Sequence, residues 1–190
     1  MIDGSPRDRL RDLISDIAVI RGRVTLASGR EADYYIDLRR ITLHHEGAPL
    51  VGDLLLDLLA SAGYGPGAVD AVGGLTMGAD PVASALLFAA AARGERLDAF
   101  LVRKESKSHG LQRQVEGPDV SGRRVVAVED TSTTGGSVLT AVDALEAAGA
   151  SVVAVAVIVD RDTGARETIE ARGLPYLTLY ELADLGLDPQ

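Results

Sequence analysis

Glu129 and Asp130 close an apolar, β-branched run, 125–128, and are followed at once by Thr131, Ser132, Thr133, Thr134, Gly135, Gly136 and Ser137. The run reads as a buried strand and the segment behind the glycines has helical spacing, so the two acids and the hydroxyl loop sit at a strand-to-helix junction. Unpaired amides at a helix N-terminus carry the positive end of its dipole, and adjacent glycines let the backbone come close to an anion. Phosphate alone does not explain the pair of acids, which would repel it. A sugar phosphate does: carboxylates accept hydrogen bonds from vicinal ribose hydroxyls while the loop beyond holds the phosphate. Neither the GK[ST] ending of a Walker A loop nor the glycine spacing of a dinucleotide fingerprint is present. The plain alternative, a polar connection capped by a hydroxyl, accounts for one side chain and not for two acids and five hydroxyls.

A second cluster is basic. The chain has two lysines, and both fall in Arg103-Lys104-Glu105-Ser106-Lys107-Ser108-His109-Gly110. From 103 to 113 there are four basic residues and one acid, a local +3 in a chain whose net charge is −9, so this stretch would focus a polyanion. Lysine is a compact charge with three rotatable donors, suited to gripping pyrophosphate. An ordinary solvated loop is the competing reading. The segment before it, 98–103, reads as a strand and the segment after it is polar and glycine-punctuated, the pattern of a flap that closes over a reaction and excludes water.

The first segment resembles the phosphoribosyl-pyrophosphate (PRPP) motif of the type I phosphoribosyltransferases. That resemblance implies that Glu129 and Asp130 contact the ribose hydroxyls, Asp130 with a catalytic role, and that Thr131, Ser132, Thr133, Thr134, Gly135, Gly136 and Ser137 wrap the 5-phosphate. The RKxxKxHG pattern is similar to the catalytic loop of the orotate phosphoribosyltransferase family. By that likeness Arg103, Lys104, Lys107 and His109 bind the pyrophosphate, with Lys107 and His109 catalytic, and the loop reaches into the site of a neighbouring subunit, implying a homodimer. The family reading also implies Mg²⁺, bound mainly through PRPP and water. Orotate contacts carried over from the family are Thr133, Arg161 and an aromatic at Tyr35, with Tyr34 a further candidate to stack on the base. Without the family, Tyr34 and Tyr35 read as packing and Arg161 as a surface residue closing a strand.

Two positions depart from the family pattern: Ala27 stands where a lysine precedes Ser-Gly-Arg, and Met77 where many members have a pyrophosphate-binding lysine. Arg30 or a backbone amide within 75–78 is expected to compensate. The rival readings are a phosphoribosyltransferase for another base and a nonenzymatic PRPP-sensing regulator. His44-His45-Glu46 carries no metal assignment, since adjacent histidines on a strand point apart and helical i, i+4 spacing is absent.

Strands are expected at 69–73, 98–102, 124–129, 151–159 and 176–180, and helices at 6–20, 49–62, 80–92, 136–148 and 163–172. This alternation implies an α/β doubly wound parallel sheet. Residues 21–44 would form a small N-terminal hood over the site, with 1–47 as helix and hood and 48–190 as the core of one domain. The 190 residues, 46% hydrophobic, suffice for one core packed by Val, Leu, Ile and Ala. The acidic balance argues against nucleic-acid binding, no uninterrupted apolar stretch suits a membrane, and the polar start is unlike a signal peptide, so the expected compartment is the cytoplasm. Zero cysteines exclude disulfides, Cys-ligated zinc and a thiol nucleophile.

Overall fold

A computed structural model describes residues 4–25, 31–104 and 114–189. Helix α1 (Pro6–Leu13) starts with Ser5 and Asp8 in a reciprocal capping box and Pro6 in the first turn. It is shorter than the sequence suggests. A π turn (Ile14–Ala18) takes over and keeps Ile14 and Ala18 buried, and Val19 and Ile20 then enter β1 (Val19–Thr25), pairing with Ile36 and Tyr35 of β2 (Glu31–Ile36). Apolar spacing ran on through the junction, whereas β-branching at Val19 and Ile20 favoured the ribbon. This antiparallel ribbon and the short α2 (Arg39–Thr42) make up the hood, followed by α3 (Gly47–Ser61).

The core alternates β3 (Ala71–Leu75), α4 (Ala79–Ala92), β4 (Asp98–Val102), β5 (Val115–Glu116), β6 (Arg124–Ser132), α5 (Gly136–Ala147), β7 (Ser151–Asp160), α6 (Ala165–Glu170) and β8 (Tyr176–Glu181). Its sheet has the order β5-β4-β3-β6-β7-β8, with every pairing parallel except β4–β5. The doubly wound expectation therefore holds, with one addition: an antiparallel edge strand two residues long, too short to leave a period in the sequence. The five parallel strands follow the order 2-1-3-4-5, which places the topological switch between β3 and β6.

Consecutive residues of the central strands serve opposite faces. Val126, Val128, Ala154, Ala156 and Ile158 pack with α3 and α4 residues such as Leu55, Leu56, Val82 and Leu86, while Val125, Ala127, Val155 and Val157 pack with Val138, Val142 and Leu145 of α5. Burial on both faces explains why β6 and β7 read as unbroken apolar runs. β4 has the expected bounds, but β3 lies two residues later than its apolar signal because Gly73 and Gly74 look like breakers. They belong to the strand for lack of room: a Cβ on Gly73 would strike the Phe100 carbonyl, and one on Gly74 would strike the Val128 carbonyl and lie 2.8 Å from Ala79 Cβ. β6 runs three residues further than expected, so Asp130 to Ser132 are on the strand and not beyond it.

His44 and His45 lie in a turn, correcting the strand assumed for them. Their rings do not point apart: the centroids are 4.3 Å from each other, and His44 Nδ1 accepts from the Glu46 and Gly47 amides at the start of α3. No group of three or more metal-ligating side chains occurs among the described residues, and no helix there is long and apolar enough to cross a membrane.

Gly74→Ala tests the packing argument. Neighbouring backbone carbonyls cannot move aside as a flexible side chain would, so the substitution should cost about 2 kcal/mol or more in urea unfolding at an unchanged m-value. A loss of a few tenths would mean that β3 has slack.

Candidate active site

The carboxyl ends of β3 and β6 open onto a cavity of about 340 Å³. The hood supplies Tyr35 through Arg39, the turn after β3 supplies Leu75 through Gly78, and β6 with its following loop supplies Glu129, Asp130, Thr131, Thr133 and, from α5, Ser137; Lys104 stands at its edge. Thus the hood, the switch point and the sequence motif converge on one space.

Glu129 is 7% exposed. Its Oε1 accepts the Asp130 amide at 3.3 Å, and Asp130 Oδ1 accepts the Thr131 amide at 2.7 Å. Burial, reinforced by the neighbouring Asp130 charge, pushes the Glu129 carboxyl up to about 8. Burial also raises Asp130, opposed by the Thr131 amide and by the positive charge of Arg39. Asp80, in the first turn of α4, is raised by burial too, and its Oδ1 finds no hydrogen-bond partner among the described residues. Gly78 makes the acid pair fit: a Cβ there would lie 2.8 Å from Asp130 Oδ1 and closer still to Glu129 Oε1.

The loop from strand to helix is only Thr133 to Gly135. Gly135, at φ 81°, caps α5 in the left-handed region, and no side chain caps the helix. The first-turn amides of α5 are therefore left to a ligand, beside the hydroxyls of Thr133 and Ser137. The motif residues divide. Thr131, Thr133 and Ser137 line the cavity, Thr134, Gly135 and Gly136 shape the turn without lining it, and Ser132 is buried at 4% exposure. The Ser132 carbonyl accepts the Arg161 amide at 3.0 Å, which sets Arg161 next to the motif but outside the cavity lining.

Of the two tyrosines, Tyr35 lines the cavity. Tyr34 is buried and its hydroxyl donates to the Asp188 carbonyl at 2.7 Å, which leaves it no face for a base. Arg103 points elsewhere than the main cavity, to a neighbouring groove of about 470 Å³ that shares Thr76, Met77 and Lys104 with it, and sits 3.5 Å from Glu116. Its amide donates to the Gln114 carbonyl and Gln114 Nε2 donates back to the Arg103 carbonyl, so the two ends of the basic segment are clipped together. Lys107, His109, Ala27 and Arg30 lie outside the described residues.

Sequence reasoning missed Asp37, Arg39 and Asp80, and named Gly78 only within a stretch, 75–78, whose backbone amides could serve the site. Arg39 Nε donates to Asp37 Oδ1 at 2.8 Å, and this contact holds the Asp37 carboxyl below its ordinary value. An acid and an arginine two apart at the end of the hood strand was the available signal.

Such a strand-end acid pair beside an uncapped helix, at the switch point of a doubly wound sheet, is the architecture of a site for a phosphorylated sugar. The phosphoribosyl transferase domain family matches residues 39–172. An orotate phosphoribosyltransferase of Streptomyces avermitilis is 66% identical over 183 residues, covering 96% of this chain and 98% of that protein; one of Mycobacterium tuberculosis is 55% identical, covering 97% and 99%. The crystal structure of the M. tuberculosis enzyme in complex with PRPP superposes with a TM-score of 0.82 at 50% identity, covering 96% of this chain and 100% of that one. The chain belongs to the phosphoribosyltransferase family, among its orotate phosphoribosyltransferases.

The raised Glu129 has a consequence for stability. Between the ordinary value of 4.5 and about 8, the unfolded chain has released a proton that the folded chain retains, so this group's contribution to stability falls as pH rises through that window. Glu129→Gln removes the slope. In scanning calorimetry without ligand, the variant's melting temperature should gain on the wild type steadily from about pH 5 to about pH 8; a constant difference would show that Glu129 ionises normally.

Proposed function

We infer that the chain transfers the phosphoribosyl group of PRPP to orotate, giving orotidine 5′-phosphate and pyrophosphate, a step of pyrimidine nucleotide synthesis. The observation that carries the assignment of roles is that Tyr35 and Arg39 line one cavity together with Glu129, Asp130 and the start of α5. Glu129 and Asp130 hold the ribose hydroxyls, and the segment Thr131 to Ser137 takes the 5-phosphate on hydroxyls and helix amides. Ser132 contributes from behind, as part of the strand end. Lys104 and Arg103, with Lys107 and His109 from the adjoining segment, take the pyrophosphate. Tyr35, Thr133 and Arg161 border the base.

As the bond from the anomeric carbon to pyrophosphate oxygen breaks, its electron pair leaves with pyrophosphate and positive charge grows on the sugar. The ring nitrogen of orotate, whose N–H proton passes to the departing pyrophosphate or to water, then supplies the pair that forms the new bond. Glu129 and Asp130 lie next to the growing charge and offset it, an interaction stronger in the transition state than in the ground state. Lys107 and His109 stabilise the leaving group. A bound Mg²⁺ would neutralise charge on the pyrophosphate. The carboxylates it would meet are Asp37, Glu129 and Asp130, too few and too spread for a protein cage and suited to an ion carried mainly by substrate and water. The working form is a homodimer in the cytoplasm in which the basic segment reaches the partner's site.

The test is the loss of orotate absorbance on mixing the protein with PRPP, orotate and Mg²⁺, with uracil, adenine and hypoxanthine in parallel. Turnover of orotate alone is expected; turnover of another base would overturn the base assignment. Lys107→Ala should lower kcat about a hundredfold with a much smaller effect on the KM for PRPP, and an unchanged kcat would remove the catalytic role from this residue. Light scattering should give twice the chain mass, and mixtures of Lys107→Ala with Asp130→Asn should regain activity if the segment serves the partner's site.

A further inference from the structure

Arg39 is a cation in the cavity for which the phosphate chemistry has no use. Its Nε and its backbone amide both donate to Asp37 Oδ1, at 2.8 and 3.3 Å. Anchoring through Nε leaves the two terminal nitrogens with no hydrogen-bond partner among the described residues, and a guanidinium held this way offers a parallel pair of N–H donors. That pair matches the two oxygens of a carboxylate. Arg39 lines the cavity four residues after Tyr35, and its electrostatic neighbours are Tyr35 and Asp37 from the hood and Asp130 from β6.

The positions of the other ligand parts leave this corner to the base. The 5-phosphate end is fixed by the motif loop and α5. Pyrophosphate belongs to the side of Lys104. What remains against the hood is the ring beside Tyr35, with its carboxylate. Orotate brings a negative charge into a space already lined by Asp37, Glu129 and Asp130, and that approach needs a cation which a neutral pyrimidine would not. Arg161 is outside the lining, and among the described residues Arg39 is the arginine that lines this cavity.

We propose that Arg39 binds the carboxylate of the pyrimidine base and so sets the preference for orotate over uracil. The proposal rests on the reading of the cavity as a site for PRPP and orotate. Lysine would be a poor substitute, since it keeps the charge and loses the planar fork.

Orotidine 5′-phosphate and uridine 5′-phosphate differ only by the carboxylate, so their dissociation constants on wild type, Arg39→Gln and Arg39→Lys isolate the interaction. By isothermal titration calorimetry, Arg39→Gln should weaken orotidine 5′-phosphate by about ten- to a hundredfold, the range for a hydrogen bond to a charged group, and change uridine 5′-phosphate and Mg²⁺–PRPP by less than about threefold. Arg39→Lys should fall between, and decides the matter if the glutamine variant does not fold. Retention of the wild-type preference in either folded variant, or equal weakening of PRPP, overturns the role of Arg39. Failure of the wild type to turn over orotate would instead overturn the functional reading on which it rests.

Discussion

Two neighbouring carboxylates kept out of water at the end of a central strand are the constraint around which this chain is arranged. Glu129 and Asp130 stand on β6, which is covered by helices on both faces, and burial raises both above their ordinary values. A site that holds acids at such cost without a matched buried cation is unfinished by itself. It is completed by hydroxyl groups that donate to the carboxylates, or by positive charge that develops beside them. Ribose offers the first and its transition state the second, which is why the arrangement suits transfer of a sugar and would be wasteful for binding phosphate alone.

The surrounding sequence makes room for that pair. Gly73 and Gly74 let β3 lie against its neighbours where a Cβ would strike backbone carbonyls, and Gly78 brings the start of α4 to within contact of the acids. The 2-1-3-4-5 strand order separates the connections on either side of β3 and β6, so the crevice falls at the acids and not elsewhere along the sheet. The same order directs α5 away from the crevice with its N-terminus pointing back at it, uncapped. Each of these features is small, and together they place an anion site and an acid pair on the lining of one cavity.

Much of this could be read from the residues. The motif on 125–137 fixed the helix start and the order of strand, acids and loop because its apolar run, acids and glycines each have a local meaning, although the strand itself ran on to Ser132, and β4 kept its expected bounds of Asp98 and Val102. What could not be read depended on neighbours far along the chain. Gly73 and Gly74 look like breakers until Phe100 and Val128 are seen beside them. Tyr34 and Tyr35 are equivalent in sequence and are separated only by which face of β2 meets the core. Arg103 looked like a cavity residue, yet Glu116, thirteen positions later, draws it into the adjoining groove. Arg39 carried no motif, since its place at the site comes from the hood folding over the switch point.

The distribution of charge in the cavity resolves an apparent contradiction between an acidic protein and anionic substrates. The acids are on the floor: Glu129 is almost wholly covered and Asp130 mostly so, whereas Arg39 and Lys104, which line the same cavity, are exposed. PRPP and orotate are laid out the same way. Their anionic ends, the 5-phosphate, the pyrophosphate and the carboxylate, lie at the periphery, and the carbon that becomes positive lies between them. A floor of carboxylates under the reacting carbon and cations around the rim therefore favours the substrates' ends and their transition state at once, with no region asked to bind both signs. Uniformly basic walls would bind PRPP more tightly in the ground state while opposing the charge that bond breaking creates, so the acidic floor is a condition of turnover and not a defect the rim has to overcome.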